Sequence, residues 1–432
     1  MKPAASQLVA PQMVQIEKPV YGGAFLARVE GKTVFVPLTL PGEQARVRIA
    51  EDKRGYATAE AEEIVSAAPE RVAPACRHFG VCGGCHYQHA GYAAQAAFKQ
   101  AILRETLERG GVAVPEEMAM LAGEPLAYRN RIRLAFDAKG NPGYRGRRSH
   151  AVIPVSECPI AAPLLIEAAQ AAAEVARQMK PAFRPAEIAF FCNADETALL
   201  ASVFTASAKK IRFDEFAEAL AERVPALQGG ELLLDGRKGE QPRTVAHWGA
   251  ASLLYRAAGF DYRVDRGAFF QVNRWLVEAL VERVTADRKG ALAWDLFAGV
   301  GLFARRLTAG FARVIAVESA PSATQALAAN LKHTSGIPVR ATTLEFLRNS
   351  RKGKRPDLIV VDPPRNGLGA ESCALLAEIA APEMVYVSCD PATLARDLNA
   401  LTNSGYAIQS IALADLFPQT FHLETVALLK HA

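Results

Sequence analysis

From about residue 290 the chain alternates apolar, β-rich runs with amphipathic stretches, and few patterns constrain a fold more tightly. ALAWDLFAG, ARVIAVES, PDLIVVDPP and EMVYVSC follow one another in this way. Each run reads as a buried strand, and each amphipathic stretch as a crossover helix. The pattern predicts a mostly parallel sheet in an α/β domain. In open sheets of this kind, ligands sit outside the carboxyl ends of the strands. The residues that end the runs are therefore the first candidates for function: Asp295, Gly299 and Gly301, then Glu318, Asp362 and Cys389.

Glycines after a strand let the backbone turn tightly and approach a ligand. An acid at the end of the next strand, Glu318, can accept hydrogen bonds from ribose hydroxyls. No third glycine follows, which favours a phosphate-free nucleoside ligand over a dinucleotide. S-adenosylmethionine fits, with a sulfonium in place of phosphates. Glycines that merely serve strand–helix packing are the plain alternative. Cys389 ends its run in VYVSCDPATLARDL, where Pro391 stops the strand. A lone cysteine is more often a buried structural residue. At a strand end, with a helix N-terminus just beyond to favour the thiolate, it becomes a candidate nucleophile.

With 432 residues, half of them apolar, the chain can bury a large core and supports two or three domains. Its net charge of +5 is too mild to argue for nucleic acid from the total alone. No run of ~18 apolar residues is present, so no membrane span is expected. The first twenty residues hold no continuous apolar core of a signal peptide. The seven cysteines should then be reduced and cytoplasmic, and serve as ligands or nucleophiles. Cys76, Cys82 and Cys85 have the spacing C-x5-C-x2-C, and Cys158 follows in SECPI. Four thiolates suit a tetrahedral zinc or an iron–sulfur cluster. His78, His86 and His89 read as polar loop residues, not ligands. Residues 128–150 hold seven Lys or Arg and one acid, Asp137. Arg129, Arg131 and Arg133 alternate, so a strand would point all three to one face. Arg145, Arg147 and Arg148 lie in a flexible basic turn. With Tyr128 and Phe136 nearby, this surface suits phosphate contacts and base stacking; a solvated basic face is the bland alternative.

At the N-terminus, residues 14–65 alternate short β-rich runs with turn signals at Gly22-Gly23, Gly31-Lys32 and Pro41-Gly42, predicting a five-stranded barrel. GGAFLARVEGKTVFVPLTLPGE resembles a TRAM domain, an OB-like barrel found on RNA-modifying enzymes. GAFFQVN, DLFAGVGLF, VDPPRNGL, VSCDPATLARDL and LFPQTFHLETVALL, in this order, resemble the uracil-C5 RNA methyltransferases of the TrmA/RumA family. That resemblance covers nearly the whole chain, least securely 165–255. It implies an N-terminal TRAM barrel (1–68), a central α+β iron–sulfur and RNA-binding domain (69–260) and a Rossmann-like methyltransferase domain (261–432). A helix over roughly 92–110 is expected to pack on the last of these.

By motif, the resemblance makes Cys389 the nucleophile that adds to uracil C6 and Glu424, in FHLET, the base that removes the C5 proton. Gln271, Phe297, Gly299, Gly301, Leu302, Glu318 and Asp362 become cofactor contacts, with Asp362 also placed to hold the uracil edge. Asp295 is expected to support the glycine loop. Ribosomal-RNA members carry the four-cysteine spacing with a [4Fe-4S] cluster, which favours iron–sulfur over zinc and large-subunit rRNA as the partner of a cytoplasmic monomer. A tRNA substrate and a non-catalytic RNA-binding assembly factor are the rivals. Leu302 departs from the family pattern by replacing a common Asn. Asp390 does so too, and a carboxylate there would raise the thiol pKa.

Overall fold

The computed structural model describes residues 11–179, 185–207, 212–234 and 242–431. It divides into two compact units, Met1–Glu105 with Phe417–His422 and Thr106–Leu416 with Leu423–Ala432.

In the first unit, β1 (Gln12–Val20), β2 (Ala24–Val29), β3 (Lys32–Pro37), β4 (Gln44–Asp52) and β5 (Ala57–Ser66) close into a barrel in the order β1-β2-β3-β5-β4, as the spacing of turn signals predicts. Alternation fills it. Val14, Ile16, Phe25, Ala27, Val34, Val36, Ala45 and Val47 face inward, and the residues between them face out. Buried Glu43 seals one end, accepting from Leu40 N at 2.7 Å and pairing with Arg71 Nε at 2.5 Å and Nη2 at 2.7 Å. His89 is not the polar loop residue that the sequence suggests. It is only 2% exposed, bonded through Nε2 to Thr39 O at 3.0 Å and stacked on Phe79. The predicted helix is present as α1 (Tyr92–Arg109), whose Phe98 packs edge-on against Phe25 of the barrel.

The second unit holds two large sheets. After β6 (Ala119–Leu121) come β7 (Arg131–Phe136), β8 (Pro142–Arg145), β9 (Val152–Pro154), α2 (Pro163–Gln178), β10 (Glu187–Cys192), β11 (Leu199–Thr205), α3 (Phe213–Arg223), β12 (Leu227–Leu234) and β13 (Arg243–Gly249). Seven of these strands form one sheet in the order β13-β12-β11-β10-β7-β8-β9, with α2 and α3 contributing to its core. A hairpin, β14 (Ser252–Ala257) and β15 (Phe260–Asp265), leads to α4 (Val277–Thr285).

The predicted α/β region follows as β16 (Gly290–Leu296), α5 (Leu302–Leu307), β17 (Phe311–Glu318), α6 (Pro321–Asn330), β18 (Gly336–Arg340), α7 (Thr343–Ser350), β19 (Leu358–Val361), α8 (Ala370–Ile379), β20 (Glu383–Ser388), α9 (Pro391–Thr402), β21 (Tyr406–Ala414) and β22 (Glu424–His431). Its eight-stranded sheet runs β18-β17-β16-β19-β20-β22-β21-β6. Strands β16 to β20 pair in parallel, while β22 is antiparallel to both β20 and β21. Every residue of β19, and all but the first of β20, is buried, which explains their uninterrupted apolar sequences. No helix among the described residues is long and apolar enough to cross a membrane.

Candidate active site

Register places the reacting groups. Ser388 of β20 pairs with Thr425 of β22, so one step further along the same antiparallel ladder sets Cys389 opposite Glu424. On the other flank, Val361 of β19 pairs with Tyr386 of β20 and Leu296 of β16, which puts Asp362 and Phe297 at the same sheet edge. Residues far apart in sequence thus meet by strand pairing alone. A solvent-open cleft of about 350 Å³ lies there, lined among others by Phe269, Gln271, Phe297, Gly299, Leu302 and Asp362. Gly301 and Glu318 do not line it.

The loop between β16 and α5 is held from several sides. Phe297 sits at φ +64°, a strained conformation for a residue with a side chain, and Gly301 at φ +91°. A Cβ at Gly301 would strike Leu327 of α6, so packing as well as backbone conformation requires glycine there. Asp295 Oδ2 accepts from Ala304 N at 2.7 Å, the supporting role expected of it. Asn330 Nδ2 donates to Val300 O at 2.8 Å, and Tyr262 Oη donates to Leu302 O at 3.0 Å. Glu318 accepts from Gly299 N at 2.9 Å, Ser319 N at 2.8 Å and Ala320 N at 2.7 Å. Its carboxylate therefore fastens the glycine loop, with one acceptor site left on Oε2 for a ribose hydroxyl. Buried Leu302 supplies apolar wall. A narrow, largely apolar cleft beside a tight glycine turn and an acid suits an adenosine carrying a sulfonium.

Electrostatics reverse one expectation. Cys389 is half-buried, and burial, then Glu424 and Asp362, push its thiol up to about 11; Arg365 pulls in the opposite direction. The free site therefore holds a thiol, not the thiolate that a helix N-terminus alone would favour. Asp390 turns out to cap α9: its Oδ1 accepts from Ala392 N and Thr393 N, both at 3.0 Å. Burial raises Asp362 to about 7 and lifts Glu424 well above the ordinary carboxylate range, with Asp362 adding to the rise and Arg365 opposing it. Asp295, fully enclosed, is pushed up to about 8 by burial.

The arginines divide. Arg129 precedes β7 in isolated bridges to Ala161 and Asn273, and it continues the alternation of Arg131 and Arg133 with buried Tyr128, Asn130, Ile132 and Leu134. Arg131 turns inward, stacking over Phe191 at 4.4 Å and donating from Nη2 to Ala268 O at 2.8 Å; burial lowers it to about 10. Arg133 and Arg145 are exposed, and both pair with Glu187, at 2.6 and 3.2 Å. Arg148 is exposed and Arg147 half-buried. Cys76, Cys82 and Cys85 belong to the first unit and Cys158 to the second, and none of the four is in a disulfide. Gly84 N donates to Cys82 Sγ at 3.4 Å, a bond that also suits a thiolate ligand. Among the described residues, no three His, Cys, Asp or Glu side chains are grouped so as to hold a metal ion.

Sequence reasoning missed Arg365 as the cation acting on the thiol and the base. It also missed the buried Tyr386–Asp397 pair on β20 and α9. Only VDPPRNGL and LARDL, quoted for resemblance, could have flagged them.

Comparison with known proteins agrees with this geometry. A family model described as tRNA (Uracil-5-)-methyltransferase matches residues 250–432, and a TRAM domain model matches residues 6–61. The chain is 34% identical to a 23S rRNA (uracil(1939)-C(5))-methyltransferase RlmD of Chromohalobacter salexigens, covering 96% of this chain and 88% of that protein. The RlmD of Halomonas elongata is 32% identical, with coverage of 95% and 88%. An uncharacterized RNA methyltransferase of Streptomyces avermitilis is 34% identical over 97% of this chain and 98% of its own length. The fold matches that of the Pyrococcus abyssi tRNA (uracil-54, C5)-methyltransferase, solved with S-adenosyl-L-homocysteine, at a TM-score of 0.78 and 24% identity, over 97% of this chain and all of that one. With its N-terminal TRAM barrel and C-terminal methyltransferase sheet, the chain belongs to the family of S-adenosylmethionine-dependent RNA (uracil-C5-)-methyltransferases.

Proposed function

We propose that this protein methylates C5 of a uridine in 23S rRNA by covalent catalysis. The observation that carries the reading is the register that sets Cys389 opposite Glu424 beside the glycine-loop cleft. C5 of uracil is too weak a nucleophile to take a methyl group directly. Addition of Cys389 Sγ to C6 sends the ring electrons towards O4, and the resulting enolate makes C5 nucleophilic. S-adenosylmethionine, when bound, supplies the electrophilic methyl group. Glu424 then takes the C5 proton, the C6–S bond breaks with its electrons returning to sulfur, and the 5,6 double bond is restored. Gln271, Phe297, Gly299 and Leu302 line the cofactor side of the cleft, while Gly301 shapes the glycine loop and Glu318 fastens it within reach of the ribose. Asp362 lies between cofactor and uracil.

A stacked uridine cannot reach Cys389, so the target base must leave its stack. The barrel and the basic segment around Arg129, Arg131, Arg133, Arg145, Arg147 and Arg148 would grip the RNA meanwhile. Arg131 would act mainly by shaping the wall, since its guanidinium already packs on Phe191. By residue type and motif, Cys76, Cys82, Cys85 and Cys158 are the candidate thiolate ligands of a [4Fe-4S] cluster, which would have a structural or RNA-positioning role. Iron and acid-labile sulfide in protein purified without oxygen, lost in Cys85→Ser, would support the cluster; zinc without sulfide would refute it. We place the protein in the cytoplasm as a monomer.

The rRNA assignment draws on the names of the RlmD relatives, and the tRNA enzyme with the same fold keeps tRNA as the second reading. Incubation with labelled S-adenosylmethionine and either 23S rRNA or bulk tRNA, followed by nucleoside analysis, separates the two. Labelled 5-methyluridine in rRNA alone is expected. Label confined to tRNA would move the substrate, and label in neither would favour a non-catalytic assembly factor.

A further inference from the structure

Helix α9 does more than follow the nucleophile. Its Asp397 is 1% exposed and held by hydrogen bonds from several elements, the Cys373 thiol of α8 among them. Oδ2 accepts from Tyr386 Oη of β20 at 2.8 Å and from Leu368 N at 2.7 Å, and Oδ1 accepts from Arg396 Nε at 2.9 Å. Arg396 Nη2 donates onward to Asn366 O at 2.8 Å, and Thr393 Oγ1 donates to Arg365 O at 3.1 Å. Arg365, Asn366 and Leu368 of the loop between β19 and α8 are thus tied directly to α9. Gly367, at φ +71°, makes the close approach possible; a Cβ there would run into Asp397 Oδ2 and Arg396 Nη2.

A buried carboxylate is costly unless fully hydrogen-bonded. Leu368 N belongs to the loop and Arg396 grips it, while Tyr386 of β20 and Cys373 of α8 hold the carboxylate from the other sides. The loop carries Arg365, whose charge acts on both Cys389 and Glu424. Facing the thiol are Glu424 from β22, Asp362 from the end of β19 and Arg365 from the loop; Asp390 is engaged in capping α9. Arg365 is solvent-exposed and partly screened, and on a loose loop such a cation would also be averaged over many positions. A clamped one acts at a fixed distance.

We propose that Asp397 is a positioning residue of the methyl-transfer site, clamping the 363–369 loop to α9 so that Arg365 stays within electrostatic reach of the nucleophile and the base. This rests on reading Cys389 as the nucleophile, but its test does not need turnover. Alkylation of Cys389 by iodoacetamide is followed against pH in the full-length protein, by mass spectrometry of the peptide that contains it. Arg365→Gln should slow the reaction about 3–10-fold at a fixed pH below the midpoint, equivalent to a midpoint raised by about half to one pH unit. Asp397→Asn should move the profile the same way, and the double variant no further than Arg365→Gln alone. Arg365→Lys, which keeps the cation, should recover most of the rate. Should Asp397→Asn fail to fold, Gly367→Ala breaks the clamp from the loop side and should give the same shift. A clamp variant that folds but leaves the profile unmoved, or additive shifts in the double variant, would overturn the proposal. Methyl transfer retained by Cys389→Ala would instead sink the nucleophile reading, leaving the alkylation result to stand alone.

Discussion

Cys389, Glu424 and Asp362 place three acidic groups at the end of one sheet, and burial raises all of them. Cys389, raised to about 11, rests as a thiol at neutral pH, and burial shifts Asp362 and Glu424 towards their protonated forms. Covalent attack needs sulfur as thiolate, and proton abstraction needs Glu424 as carboxylate. Single-turnover methylation should therefore keep rising from pH 7 to beyond pH 9. A rate already level by pH 6.5 would contradict this assignment of protons. Glu424→Gln cannot take the C5 proton but leaves the thiol in place. It should cut turnover by about 10²–10⁴-fold and accumulate RNA that is both methylated and bound to protein. Loss of turnover without any adduct would shift Glu424 to a role before methyl transfer.

Elements explain why some of this was readable in sequence and some was not. The strands β19 and β20 announce themselves because burial on both faces demands unbroken apolar runs, β16 and β17 are mostly apolar over their second halves, and the ends of the four mark Gly299, Glu318, Asp362 and Cys389. Glu424 gives no such signal. It becomes a partner of Cys389 only through the antiparallel pairing of β22, so residue type and local spacing could not reveal it and motif order had to. The helix N-terminus after Cys389 was visible, whereas the carboxyls that outweigh it come from other strands. Arg131 looked exposed because alternation in β7 was legible but the aromatic ring of β10 beneath it was not. His89 likewise looked like loop, since its burial depends on Thr39 and Phe79. In the barrel unit, burial holds His89 at about 4, and its Nδ1 has no acceptor among the described residues. A depressed histidine contributes stability that is present above the unfolded value near 6.5 and lost as pH falls through 4. Urea unfolding at pH 7, 6, 5 and 4 should show wild type losing up to about 3 kcal/mol more than His89→Gln across that range. Parallel slopes for the two proteins would place the acid sensitivity elsewhere.

At the scale of the whole molecule, the chain joins an RNA-modifying barrel to a methyltransferase sheet, and family membership extends over nearly its full length. Residues 160–255, which supply β10 to β13 of the seven-stranded sheet, carried no usable motif, because packing against α2 and α3 constrains hydrophobicity more than residue identity. The proposed reaction demands a covalent bond to the base before methyl transfer. The most direct measurement uses RNA substituted with 5-fluorouridine, incubated with the protein and labelled S-adenosylmethionine. Fluorine at C5 cannot leave as a proton, so Glu424 has nothing to take and the reaction should stop as a methylated, denaturation-stable adduct that Cys389→Ala does not form. Methyl label entering the fluorinated RNA with no trapped protein, or an equal adduct from Cys389→Ala, would contradict covalent catalysis by Cys389.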